Sequence, residues 1–186
     1  MSTENPTLFM VMLGANPAGR TIEQHDMFFG IADEIKALKE DMYAFWPNAG
    51  QLHGDSWRRV TKVGDFKITI VPKHEATEQE LKLFFLNLGG YLPDDLEEYH
   101  YKVLVVARTM AEAVKAAKKT TFYKHYGFKG AESHIDEKYA LDVDDMHKVE
   151  DLLPESAKDK YHIQITPALG EPEDALHVGY VKLGAR

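Results

Sequence analysis

The protein has 186 residues, 44% of them hydrophobic and 28% charged, so it carries enough apolar material for a folded core. The absence of cysteine excludes catalytic thiols, iron–sulfur clusters and cysteine-ligated zinc sites. The formal net charge of −8 argues against a nucleic-acid surface, and we expect no nucleic-acid partner. Neither a signal-peptide pattern nor a long apolar run is seen, so we expect a cytoplasmic protein without a membrane segment.

Short apolar runs predict the first elements of the chain. Residues 8–13 are apolar throughout and end at Gly14, a pattern typical of a buried strand. A second apolar run at 27–32 predicts another strand. Apolar residues at helical spacing from Ile35 to Phe45 then predict a helix that packs on the sheet.

The next segments predict two further strands and a similar second half. A strand-like region begins at His53, and residues 66–71 alternate between apolar and polar, which is typical of a half-exposed antiparallel strand. In the second half, apolar runs lie at 83–88 and 102–107. Thr109 and Glu112 then have the spacing of a capping box, which predicts the start of a helix.

The sequence resembles itself in three blocks that occur in the same order. An ungapped alignment of 8–25 with 83–100 gives identical residues at Leu8, Phe9, Leu13, Gly14, Glu23 and His25. His-Gly-Asp at 53–55 falls on His-Ile-Asp at 134–136, and 66–72 falls on 161–167. A further copy of the strand 81–89 follows at 176–184. We interpret the pattern as a tandem duplication.

These patterns predict an α+β protein with antiparallel or mixed sheets. It would consist of two tandem ββαββ-like repeats related by a pseudo-two-fold axis. The expected divisions are a first repeat at 1–72, a linker at 73–80, a second repeat at 81–167, and a C-terminal strand copy at 168–186 that closes the sheet.

The candidate site residues are acids and histidines that recur in both halves. They are Glu23, His25, His53, Asp55, Glu98, His100, His134 and Asp136. Imidazole together with carboxylate suits a divalent metal or acid–base catalysis near neutral pH. A divalent metal is therefore the candidate cofactor, with His25, His53, His100 and His134 as its candidate ligands. Hydrogen bonds that hold loops are the alternative role, because a duplication repeats structural pairs equally well.

The loop from Gly14 to Thr21 nearly fits the phosphate-binding pattern G-x-x-x-x-G-K-[ST]. Arg20 stands where that pattern has lysine, which makes Arg20 a candidate phosphate ligand. Arginine is not equivalent to the compact lysine charge, and a strand rather than a helix is predicted next. A turn that closes onto the strand is therefore the simpler interpretation.

An acidic run contains Asp142, Asp144 and Asp145 and resembles part of a calcium-binding loop. It lacks the glycine and the final glutamate of an EF-hand. We therefore interpret it as a solvated loop.

Two segments of the first half resemble a known family. They are LFMVMLGANPAGRTIEQHDMFFGIAD at 8–33 and AFWPNAGQLHGDSWRRV at 44–60. Both are similar to the bacterial family called domain of unknown function 1543, whose members carry one or two copies of the domain. The second half departs from the pattern, with Tyr101 in place of Asp26 and Lys138 in place of Trp57. The resemblance supports the organisation of the chain but implies no activity.

Three functions are compatible with the sequence. The first is a non-catalytic module that binds a small ligand or takes part in assembly. The second is a metal-dependent hydrolase that uses the duplicated histidine and acid clusters. The third is phosphate or nucleotide binding at the loop from Gly14 to Thr21. A small molecule or a protein is the expected partner, and the sequence is also compatible with a homo-oligomer.

Overall fold

A computed structural model describes residues 6–91, 94, 96–120 and 142–183. Over these ranges the protein is α+β, with antiparallel sheets and few helices. The strands are β1 Thr7–Ala15, β2 Gln24–Ala32, β3 Leu52–Arg59, β4 Lys62–Val63, β5 Phe66–Pro72, β6 Lys82–Tyr91, β7 Glu98–Ala107, β8 Asp142–Lys148, β9 Tyr161–Pro167 and β10 His177–Lys182. The helices are α1 Lys39–Phe45, α2 Met110–Thr120, α3 Val149–Leu152 and α4 Glu155–Lys158, with 3-10 turns at Ile35–Leu38 and Lys73–Glu75.

The chain forms two compact units, which differ in extent from the predicted repeats. Unit 1 comprises Met1–Glu78 and Leu152–Arg186, and unit 2 comprises Gln79–Asp151. Unit 1 holds a four-stranded sheet of order β10-β3-β1-β2 and a three-stranded sheet of order β4-β5-β9, while unit 2 holds a sheet of order β7-β6-β8. β9 belongs to unit 1 because it pairs with β5 along its whole length.

The core of unit 1 lies between one face of its larger sheet and the segment that contains α1. Alternate residues of a strand face the same side, so Phe9, Val11 and Leu13 form one row of buried side chains. Leu38 and Met42 pack against this row from the helical segment. The predicted helix is therefore divided, with a 3-10 turn before α1. Leu38 and Met42 of its apolar stripe face the sheet, whereas Phe45 is exposed.

The C-terminal strand β10 lies at the edge of the unit 1 sheet, beside β3. The chain before it is anchored by the carboxylate of Asp174. This carboxylate accepts hydrogen bonds from Thr61 N at 2.6 Å, Thr61 Oγ1 at 2.7 Å and Lys62 N at 3.1 Å. From β10 the ring of Tyr180 stacks on His53, with centroids 4.4 Å apart.

In unit 2 the central strand β6 lies between β7 and β8, and α2 packs on the sheet. The small residues Ala113 and Ala117 of α2 are buried against the apolar side chains of β6. The hydroxyl of Thr109 accepts a hydrogen bond from Glu112 N at 3.2 Å, as the capping-box spacing predicts. Within the described ranges, every helix is too short or too polar to cross a bilayer.

The acidic run that was interpreted as a solvated loop is strand β8. It pairs with β6 from Lys148 opposite Phe84 to Asp142 opposite Gly89. The strand is hard to recognise from the sequence because only one face of β8 is apolar and its acidic side chains are exposed.

Candidate functional site

A row of three paired residues forms the base of the site in unit 1. Gly14 of β1 pairs with His25 of β2 on one side and with His53 of β3 on the other. Directly paired residues project from the same face of a sheet, so two imidazoles flank a residue without a side chain. A β-carbon at Gly14 would lie 2.5 Å from His53 Nε2 and 2.6 Å from Asp55 Oδ2. Only glycine allows these groups to approach the strand so closely.

A β-bulge brings Asp55 to the same place. Leu13 pairs with Gly54 and Met12 pairs with Ser56, which leaves Asp55 as the extra residue of β3. Bulges of this kind change the direction of a side chain and are frequent beside functional sites. The carboxylate of Asp55 contacts both imidazoles, with Oδ2 at 3.2 Å from His25 Nε2 and Oδ1 at 3.3 Å from His53 Nε2.

Glu23 completes the cluster from the residue just before β2. Its Oε1 lies 2.9 Å from His53 Nε2, and its Oε2 lies 3.6 Å from His25 Nε2. Each imidazole Nε2 therefore contacts two carboxylates. All four acids and histidines predicted for the first half meet here, and we call Glu23, His25, His53 and Asp55 centre 1.

The contacts of centre 1 are those of imidazole–carboxylate pairs, and the same four side chains could also share a cation. Nε2 of a neutral imidazole carries at most one hydrogen, so it can donate to only one of the two carboxylates that it contacts. Ligands held 2.0–2.1 Å from a tetrahedral ion lie about 3.3 Å apart, and the four imidazole–carboxylate contacts of 2.9–3.6 Å are four of the six separations that such an ion would set. Asp55 Oδ2 is buried and accepts no hydrogen bond from the described residues. Such an oxygen is a natural cation ligand.

Centre 1 is closed on one side and open on the other. The side chain of His53 is only 7% exposed, because the ring of Tyr180 covers it. The side chains of His25 and Glu23 are 47% and 37% exposed. A bound ion would therefore contact the buried His53 of β3 on one side and would face solvent on the β2 side.

Unit 2 contains a smaller cluster with the same backbone arrangement. Gly89 of β6 pairs with His100 of β7 and with Asp142 of β8. The register shifts between Leu88 and Asn87, which makes Asp144 the extra residue of a bulge. A β-carbon at Gly89 would collide with the carboxylate of Asp144. The glycine and the bulge thus occupy equivalent places in β6–β8 and in β1–β3.

We call Glu98, His100 and Asp144 centre 2. His100 Nε2 lies 3.1 Å from Asp144 Oδ2 and 3.8 Å from Glu98 Oε2. One ligand atom from each of the three residues lies within 4.8 Å of the other two. Burial lowers the pKa of nearby Lys102, whose Nζ donates a hydrogen bond to the carbonyl of His100 at 3.3 Å.

The residues predicted for the second half are only partly among those that the structure describes. Glu98 and His100 lie together as expected, whereas His134 and Asp136 fall outside the described residues. The register of β8 places Asp142 opposite the glycine, where β3 has His53, and makes Asp144 the counterpart of Asp55. This register gives β3 a structural counterpart in β8 that differs from the predicted alignment of 53–55 with 134–136. The sequence feature that could have identified Asp144 is the D-x-D spacing of 142–144, because it repeats the spacing of His53 and Asp55.

The loop from Gly14 to Thr21 does not have the setting of a phosphate loop. Gly14 is part of β1, and the chain continues into β2 rather than into a helix. Arg20 N donates to the carbonyl of Pro17 at 3.2 Å and closes a turn. Phosphate loops depend on a helix N-terminus, so the simpler interpretation of this segment fits the structure.

Comparison with known proteins supports the family resemblance over part of the chain and the fold over nearly all of it. Residues 20–70 match a family described as Domain of Unknown Function (DUF1543), and this segment contains all of centre 1. The crystal structure of a protein Il1583 from Idiomarina loihiensis has a similar fold, with a TM-score of 0.63 and 18% sequence identity. The similarity covers 97% of this chain and 99% of that chain. No curated protein matches the sequence.

Proposed function

We propose that the protein is a metal-binding module that holds a divalent transition-metal ion at centre 1. The observation that carries the proposal is the meeting of two imidazole nitrogens and two carboxylates at 2.9–3.6 Å. This ligand set suits Zn²⁺, and it also suits Mn²⁺ and Fe²⁺. The metal ion would then be the small ligand of a non-catalytic binding module, which is the first of the three functions compatible with the sequence.

The charges of centre 1 support the same proposal. Glu23 and Asp55 bring two carboxyl groups to one pocket, and His53 is almost completely buried beside them. A divalent cation would accept one lone pair from an atom of each of the four side chains and would offset the acidic character of the pocket. Gly14 keeps the pocket free of a side chain.

Calorimetric titration of protein without a histidine tag tests the proposal. Zn²⁺ is expected to bind centre 1, and His53→Ala should weaken that binding by more than the 10–100-fold that loss of an outer partner costs. His74→Ala is the matched control, because His74 is an exposed histidine of the same unit. Zn²⁺ binding of equal strength in His53→Ala and in the parent would contradict the proposal.

A metal-dependent hydrolase is the second candidate, and the open side of centre 1 favours it. The exposure of His25 and Glu23 leaves this side of centre 1 accessible to a substrate, and the ion would supply an activated water if one of these two side chains left its coordination position to solvent. Zn²⁺- or Mn²⁺-loaded protein should then hydrolyse simple phosphate or carboxylic esters. Glu23→Gln should abolish this activity. Absence of turnover with both metals would exclude hydrolysis of these esters and leave the binding role.

We also propose that β1–β3 and β6–β8 descend from one duplicated segment. The supporting features are the central strand flanked by two antiparallel partners, the glycine at its end, and the bulge in the third strand. The identities between 8–25 and 83–100 add to these features. The proposal accounts for two clusters of related composition in one chain.

A further inference from the structure

We propose that centre 2 is a second cation site whose metal preference is shifted from Zn²⁺ toward Mn²⁺. Its ligands would be Glu98, His100 and Asp144, with water completing the coordination. The proposal concerns a separate site in unit 2, so it stands whether or not centre 1 binds metal.

The local geometry of centre 2 is that of a ligand set. Glu98 and His100 project from the same face of β7, and the bulge in β8 directs Asp144 toward His100. Gly89 lies beneath them, where a β-carbon would be 2.8 Å from Glu98 Oε1. The glycine therefore leaves room for the two carboxylates beside His100 above β6.

The ligand residues of centre 2 determine its relative affinity for Zn²⁺ and Mn²⁺. Centre 1 has two imidazoles, whereas centre 2 has one, because the residue opposite Gly89 is Asp142 rather than histidine. Imidazole favours Zn²⁺, while carboxylate and water ligands suit Mn²⁺. Zn²⁺ can still bind more tightly in absolute terms, so the proposal concerns the ratio of the two affinities.

The surroundings of centre 2 allow the additional ligands that Mn²⁺ requires. The three side chains are 27–35% exposed, which leaves space for coordinated water. Lys102 lies two residues along β7, and its Nζ donates a hydrogen bond to the carbonyl of His100. That bond directs the ammonium to the backbone.

Electron paramagnetic resonance of Mn²⁺ tests the site. Titration of the His25→Ala, His53→Ala double variant, which lacks centre 1, should still remove free Mn²⁺ from solution. Adding Asp144→Asn should abolish that binding. Asp145→Asn is the matched control, since it makes the same charge change one residue along β8, where the carboxylate bonds to Asn87. Mn²⁺ binding that survives Asp144→Asn, or that falls equally in Asp145→Asn, would overturn the proposal.

The preference itself is measured by titrating each centre with both ions. The ratio of Zn²⁺ to Mn²⁺ affinity should be about tenfold smaller at centre 2 than at centre 1. Asp142→His places an imidazole opposite Gly89 and should raise the ratio at centre 2. Equal ratios at the two centres, or a ratio that Asp142→His leaves unchanged, would contradict the assignment.

Discussion

At the scale of single residues, Gly14 and Gly89 are the positions that leave room for the side chains of the two centres. Each lies in a central strand. A β-carbon at either position would overlap neighbouring acid or histidine side chains, so glycine is the residue that leaves room for them. Neither glycine is needed for a turn. Their place in the fold is therefore explained by the side chains above them, and those side chains are the candidate metal ligands.

Gly14→Ala should reduce Zn²⁺ affinity at centre 1 by at least tenfold while the protein stays folded. The added methyl group must displace His53 and Asp55, and a small displacement of ligands is costly for a metal site. Calorimetric titration measures the loss. Gly54→Ala is the control, because a β-carbon there makes only ordinary contacts at 3.6 Å. Equal affinity of the Gly14→Ala variant and the parent would show that centre 1 does not hold the metal.

The residues of the site were only partly predictable from the sequence. The repeated Glu-x-His spacing identified Glu23, His25, Glu98 and His100, because residues two apart in a strand share a face. Asp144 could not be identified in the same way. Its role depends on the pairing of β8 with β6 and on a bulge in that pairing, and neither follows from local sequence.

At the scale of elements, the sequence predicted strands more reliably than their partners. Apolar runs and alternation located β1, β2, β5, β6 and β7, since these patterns reflect local burial. The resemblance of 66–72 to 161–167 was interpreted as equivalence between repeats. In the structure these segments are β5 and β9, and they pair with each other within unit 1. Pairing between segments so distant in the chain cannot be derived from periodicity.

Asp174→Ala should loosen β10 without unfolding the rest of unit 1. The change removes the acceptor of three hydrogen bonds that anchor the chain before the strand. Hydrogen exchange of amides in 177–182 should become roughly tenfold faster or more, since a loss of about 1.4 kcal/mol corresponds to a factor of ten. Glu171→Ala, an exposed acid in the same segment, is the control. Unchanged exchange in Asp174→Ala would show that other contacts hold β10.

At the scale of the whole molecule, the two units can be observed separately. Both tryptophans, Trp46 and Trp57, belong to unit 1, so intrinsic tryptophan fluorescence reports the unfolding of that unit. A ligand that binds only the folded state stabilises it by mass action, by about 2.7 kcal/mol at a free concentration of one hundred times the dissociation constant. If centre 1 binds a metal ion as proposed, the binding should be visible in the stability of unit 1.

Zn²⁺ at one hundred times its dissociation constant should raise the urea midpoint of the fluorescence transition in the parent protein. In the His25→Ala, His53→Ala double variant the midpoint should not respond to Zn²⁺. Asp144→Asn should leave the Zn²⁺ response of the tryptophans intact, because Asp144 lies in unit 2. A response that persists in the double variant would place the stabilising ion outside centre 1.

The most direct test of the metal-binding proposal is anomalous diffraction at the zinc edge from crystals grown with Zn²⁺. We predict a peak between the two imidazole Nε2 atoms of His25 and His53 and the carboxylates of Glu23 and Asp55, with ligand distances of about 2.0–2.2 Å. A fully ordered centre 1 without an anomalous peak at saturating Zn²⁺ would contradict the proposal.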